Sequence, residues 1–378
     1  MKTRNQPLDV LRGIAVLMVV ICHYYLGVDA HSPVGTFLGR GVDLFFVLSG
    51  FLISGLLFSE YKATGSINLK RFWIRRGFKI YPPFYSFIFA TAVASVLLLH
   101  RFPLQLLSDV FFVQNYTSRV WIYTWSIAVE EHFYFALPLL LLLLIRLGKG
   151  KPNPFRLIPF LSIALSAFCL WGRIAAFFHW HDWDHVAYPS HLRVDALFAG
   201  VTLGYFAHFD PESFHEAKRK WVLSVGLLFC LATALMPSVP QLTFAYVAFA
   251  FVVAWAVNQK ERRKRALRVL AWIGYYSYSI YLWHGLAILS IAHLPQGWFR
   301  FPLYAAIAIS PGILMAKLIE VPLLKLREKF FPSLASGTRR LSPDQAREQT
   351  VKAGSGDRKH KDSEERVSQA PVIRSASL

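Results

Sequence analysis

A polytopic, all-α membrane protein is the fold class this sequence predicts, and three observations carry it. The 378 residues are 55% hydrophobic, with a mean hydropathy of +0.40, too apolar for a soluble enzyme of that length. Several apolar runs reach the roughly 20 residues that a helix needs to cross a bilayer. The net charge of +19 sits in the connections between those runs, where positive-inside topology places it. No nucleic-acid motif accompanies it, so nucleic acid is not an expected partner.

Ten spans are expected, at roughly 8–28, 41–59, 81–100, 121–145, 157–178, 191–208, 221–237, 241–257, 272–292 and 301–320. Lys and Arg cluster in connections 60–80, 146–156, 210–220 and 258–270, whereas 28–40 holds only Arg40 and 237–240 holds none. That alternation puts both termini in the cytoplasm. From residue 331 aromatics almost vanish and charges crowd in. The expected organisation is a membrane domain over 1–330 and a disordered cytoplasmic tail over 331–378.

The first span, LDVLRGIAVLMVVICHYYL, carries Arg12 and His23. Eleven helical residues make nearly three turns, so both side chains share a face, about 16 Å apart along the axis. No small-residue cleavage site follows, so the run is expected to stay in the fold. An ionisable group inside a span is costly and usually faces protein or a wet cavity.

The second span, GVDLFFVLSGFLISGLLF, puts Asp43, Gly50 and Ser54 on one face. Asp43 lies at the depth of His23, where it could orient an imidazole or merely cap the helix. Gly50 and Gly55 read as close-packing positions. Before the third span, RFWIRRGFKIYPPF holds Arg71, Arg75, Arg76 and Lys79 within nine residues. Pro82 and Pro83 are expected at that helix's start. Topology explains some of these cations, but beside Arg12 they also suit an anion site.

The fourth span, WIYTWSIAVEEHFYFALPLLLLLLI, holds Glu130 and Glu131. Adjacent helical positions point about 100° apart, so the two should have different roles. At least one is expected to pair with a cation, Arg12 or Arg173, with a purely structural ion pair as the alternative. The loop after the fifth span is rich in His and Asp: His179, His181, Asp182, Asp184, His185 and His191. Their spacing is not that of a metal site, and none is expected. Trp180, Trp183 and Tyr188 suit an interfacial belt or stacking on a sugar. Arg193 and Asp195 open the sixth span, the least apolar. In the ninth, His284 could line the cavity, though a hydrogen-bonded core histidine is the favoured reading. Cys22, Cys169 and Cys230 lie in apolar runs and read as small core residues.

Six strings in order resemble the acyltransferase 3 family of integral membrane acyltransferases: LDVLRGIAVLMVVICHY, GVDLFFVLSGFLIS, RRGFKIYPPF, TWSIAVEEHFYFALP, RVDALFAG and YSYSIYLWH. The resemblance covers about residues 5–325. One departure is Lys79, where the family usually has Arg; it keeps the charge and loses the bidentate fork. The extracytoplasmic hydrolase-like domain of some members is not among these residues.

The resemblance implies transfer of an acyl group, often acetyl, from cytoplasmic acyl-CoA to a hydroxyl on an extracytoplasmic glycan, lipid-linked sugar or small molecule. It implies a multi-pass protein of the bacterial inner membrane, in contact with lipid, with acetyl-CoA as co-substrate and no bound cofactor. On this reading His23 is the general base, oriented by Asp43 or Glu130. Arg12, Arg75, Arg76 and Lys79 hold the CoA side, and Trp125, Trp183, Tyr188 and Arg193 the acceptor. Direct transfer is expected, since no Ser or Cys sits beside an obvious base. The alternative class is a proton-coupled transporter using Arg12, His23, Glu130 and Glu131 as a relay.

Overall fold

The computed structural model describes residues 5–236, 238–261 and 264–332. The expected tail lies outside them from residue 333. Among the described residues all regular structure is helical, and the protein is a polytopic helical membrane protein. Seven helices are long and apolar enough to cross a membrane: Gln6–Val28, Pro33–Thr64, Leu69–Leu99, Ile122–Leu147, Ile158–Trp180, Val239–Val257 and Arg300–Phe330. The other three expected spans take different forms. The sixth and seventh are helices of 16 residues, and the ninth is three short helices in series.

Helix α1 (Gln6–Val28) starts where the Asn5 side chain accepts from the Leu8 N–H at 3.4 Å. A short helix, Pro33–Leu38, is capped by Ser32 and leads into α2 (Gly41–Thr64). α2 ends at Gly65, whose φ of +74° suits a residue without Cβ. It is the centre of the bundle: the Pro33–Thr64 span is 72% buried over its most apolar stretch, against 17% for Ile158–Trp180.

Helix α3 (Leu69–Leu99) begins well before the expected position. Pro82 and Pro83 lie inside it rather than at its start. The Asn68 side chain caps it, accepting from Arg71 N–H at 2.9 Å. Two prolines remove two ladder bonds, which a helix of 31 residues survives. The basic run is therefore helical, and Arg76 and Lys79, three apart, share a face.

Helices α4 (Trp125–Leu147) and α5 (Ile158–Trp180) follow. α6 (Val194–Phe209) touches α2 backbone to backbone. A Cβ at Gly50 would land on the Leu197 carbonyl, and one at Gly200 on the Val47 carbonyl. Gly50 thus serves close packing as expected. Gly55 does not, since a Cβ there would meet only the His208 ring, at an ordinary contact distance of 3.4 Å.

α7 (Lys220–Leu235) packs on α8 (Ser238–Val257). α9 (Arg265–Tyr275) meets α1 through Gly13, facing the Leu270 carbonyl, and Gly274, facing the Asp9 carbonyl. Breaks at Tyr276 and His284 separate α9 from α10 (Ser277–Trp283) and α11 (Gly285–Ser290). α12 (Arg300–Met315) runs through a π turn, Ala316–Glu320, into α13 (Val321–Phe330).

Candidate active site

Two cavities lie back to back around α1, α2, α4 and α10. The first encloses about 890 Å³, open mouth included, and is lined by Arg12, Arg76, Lys79, Glu130, Glu131 and Tyr134, among others. Glu130 is held by two hydroxyl donors: Ser49 Oγ at 2.8 Å to Oε1 and Tyr134 O–H at 2.7 Å to Oε2. Glu131 lies beside Tyr81 instead, and its Oε1 is buried without a hydrogen-bond partner. The two carboxylates thus have separate partners, as their angular separation requires.

Three cations face them. The Arg76 guanidinium lies 4.8 Å from the Tyr134 ring centroid, with its Nε unbonded. Lys79 Nζ pairs with Glu320 Oε1, and Ser279 Oγ donates to the other oxygen at 2.6 Å. The π turn ends at Glu320, aiming that carboxylate inward. Arg12 Nη1 lies 3.9 Å from Asp9 Oδ1.

The second cavity is larger, about 1310 Å³ with its mouth, and is lined by His23, Arg40, Asp43, Tyr123, Trp125, Trp183, Tyr188 and Arg193. Val42 and Tyr281 line both cavities, so the two meet there. Tyr281 is fixed in place: its O–H donates to the Tyr123 carbonyl at 2.7 Å and lies 2.7 Å from Ser126 Oγ.

His23 is held by His284, on the other side of the chain. His284 is fully buried. Its Nδ1 lies 2.6 Å from the Tyr281 carbonyl, and its Nε2 lies 3.3 Å from His23 Nδ1. His23 Nδ1 is also 2.9 Å from the Val19 carbonyl. A carbonyl oxygen only accepts, so Nδ1 carries the proton in both rings. The His23 Nδ1–H then goes to the Val19 carbonyl and is shared, at the longer distance, with His284 Nε2, and His23 Nε2 keeps its lone pair. The two rings together present one basic nitrogen at the second cavity.

The expected orienting carboxylates do other work. Asp43 Oδ1 accepts from Arg193 Nη2 at 2.6 Å, and its Oδ2 lies 3.8 Å from Arg40 Nη1. Glu130 is in the other cavity. Neither is the hydrogen-bond partner of His23, because their strongest donors were already beside them. Arg75 also leaves the expected set: it bonds Glu328 Oε1 at 2.8 Å and the Phe331 carbonyl, and it does not line the first cavity. Arg173 is no partner for the α4 glutamates; buried Asp195 Oδ2 takes it at 2.8 Å.

The residues expected on the acceptor side lie together. Trp125 and Tyr188 lie 4.9 Å apart between ring centroids, the Arg193 guanidinium sits 5.5 Å from the Trp125 ring, and Trp183 joins them in the wall. Elsewhere in the loop, Asp182 pairs with His185 and Asp184 with Arg119, and among the described residues no three His, Cys, Asp or Glu side chains gather as a metal would need. The His185 contact holds the exposed Asp182 carboxyl below its ordinary pKa.

Sequence reasoning missed three residues. His284 was placed in the core without its role. Glu320 is a carboxylate inside an apolar span, the same signal that singled out Glu130. Arg40 stood as a loop cation. A Ser–His contact also exists, Ser190 Oγ at 2.6 Å from His132 Nδ1, but neither residue lines either cavity.

A family model described as an acyltransferase domain matches residues 5–319. The chain belongs to this acyltransferase family. Among curated relatives of this chain, "Putative O-acetyltransferase SAS0844" of Staphylococcus aureus (strain MSSA476) is 30% identical over 363 residues, covering 86% of this chain. "O-acetyltransferase OatA" of Staphylococcus aureus (strain NCTC 8325 / PS 47) is 29% identical over 366 residues, again 86% of this chain. The chain spans 58% of the length of each. No solved structure matches.

Proposed function

We propose that this protein is an O-acetyltransferase that moves an acetyl group from acetyl-CoA, held at the first cavity, to a hydroxyl held at the second. The observation that carries this is the contact of the two cavities at Val42 and Tyr281, with cations in the first and a basic His23 nitrogen in the second. Arg12, Arg76 and Lys79 supply positive charge for the CoA phosphates. By the positive-inside rule their cavity faces the cytoplasm of an inner membrane, and the His23 cavity faces outward. Trp125, Trp183 and Tyr188 offer aromatic faces to a glycan or lipid-linked sugar.

The chemistry is a direct transfer. His23 Nε2 takes the acceptor hydroxyl proton as that oxygen attacks the thioester carbonyl. The tetrahedral intermediate expels the CoA sulfur, which leaves with the proton as CoASH. The Val19 carbonyl and His284 together keep the ring of His23 in the tautomer whose Nε2 is free. The acyltransferase family and the names of its curated relatives support transfer over the transport alternative.

The test is CoASH release by purified protein in liposomes given acetyl-CoA and a panel of glycans. His23→Ala should lower acceptor-dependent release at least 100-fold while the protein still inserts, within the ~10²–10⁴ that a positioned base contributes. Arg12→Ala should raise the acetyl-CoA requirement. Wild-type release from His23→Ala would refute the mechanism. Absence of CoA binding by the parent would restore the transporter.

A further inference from the structure

The charges in the second cavity do not balance. Arg40 and Arg193 approach opposite oxygens of one carboxylate, Asp43: Arg193 at 2.6 Å and Arg40 at 3.8 Å. The shorter contact is a hydrogen bond; the longer one is not. The Arg193 side chain is 3% exposed and that of Arg40 11%, and the Nε of each is buried without a hydrogen-bond partner. Among the described residues nothing accepts a side-chain hydrogen bond from Arg40, and Asp43 Oδ2 also goes unbonded. The other carboxylate near this end, Asp195, is taken by Arg173.

Two buried cations on one anion leave one positive charge in a desolvated wall, a costly arrangement unless a ligand neutralises it. Arg40 is also the N-cap residue of α2, where the helix dipole adds to the positive potential. The same cavity is walled by Trp125, Trp183 and Tyr188 and holds the basic nitrogen of His23.

We infer that the acceptor carries an anionic group, a carboxylate or a phosphate, which Arg40 binds with Arg193 while the aromatic wall holds the sugar and His23 reaches its hydroxyl. This deepens the acyl-transfer reading and rests on it for the identity of the hydroxyl. A guanidinium pairs bidentately with either anion, so Arg40 is a specificity residue: it selects charged acceptors over their neutral analogues.

The test measures binding, with CoASH release read separately. Purified protein in nanodiscs is titrated with a galacturonate disaccharide, its uncharged methyl ester and a glucose disaccharide 1-phosphate. The expected result is at least tenfold tighter binding of the acid or the 1-phosphate than of the ester, weakening as salt rises, with the tighter of the two naming the anion. Arg40→Gln should abolish the preference and Arg40→Lys should keep part of it. Equal affinity of the parent for all three probes, absence of binding included, overturns the inference, as does an undiminished preference in Arg40→Gln. Charge-selective binding without CoASH release would leave the inference standing and remove acyl transfer. Acyl transfer to acid and ester with equal affinity would do the reverse.

Discussion

At the scale of residues, the role of each buried polar group is set by the partner it finds. His23 could be picked out because an imidazole inside an apolar helix is expensive. Its partner could not, because His284 is 261 positions away and looked like any core histidine. Replacing His284 with Phe should cut the turnover of acetyl transfer by about 10- to 100-fold while leaving the affinity for acetyl-CoA within twofold. His284→Gln can still offer an acceptor to His23 Nδ1–H and should recover part of the rate. A drop in acetyl-CoA affinity equal to the drop in turnover would show that His284 only supports the fold. Asp43 shows the opposite outcome: its depth was legible, but which of Arg40, Arg193 and His23 it would meet depended on how α6 packs on α2.

At the scale of elements, caps and contacts between them decide where helices begin. The Asn68 cap starts α3 ahead of Pro82 and Pro83, and a cap is a local signal that the hydropathy of the span concealed. α4 has a further anchor at its head. Thr124 Oγ1 donates to Asp109 Oδ1 at 2.8 Å, and Gln114 Nε2 donates to the Thr124 carbonyl at 3.0 Å. Asp109 lies between spans, in the short helix Leu106–Val110. Burial pushes its carboxyl from 3.8 up to about 6, against the opposing pull of Thr124 and Arg119. Between those values the folded protein holds a proton that the unfolded chain has released. Stability from this site is therefore greatest below pH 4 and declines as the pH rises towards 6. Thermal melts of the parent at pH 4.5 and 7.0 should show that decline, and Asp109→Asn should flatten it. An unchanged slope in the variant would mean another group titrates.

The whole molecule places two chemically different cavities on either side of Val42 and Tyr281. A bulky Val42→Trp side chain would fill the place where they meet. On the proposed function, acetyl-CoA binding at the first cavity should persist within a few-fold, and so should acceptor binding at the second, while CoASH release falls at least 100-fold. Parallel loss of both bindings would show that the variant collapses the bundle rather than altering the wall the cavities share.

What the sequence by itself determined is the membrane fold, the depth of its polar residues along each helix, and the family. Those follow from hydropathy, helical periodicity and short strings, all readable from neighbouring residues. The tertiary structure alone decided the pairings: His23 with His284, Asp43 with Arg193 and Arg40, Lys79 with Glu320, and Arg75 with Glu328 rather than with the cavity. It also decided that the site residues separate into two chambers. The physical reason is that a buried charge is stabilised by whatever lies within a few ångströms of it. In a bundle of long helices those neighbours come from elements far apart in the chain.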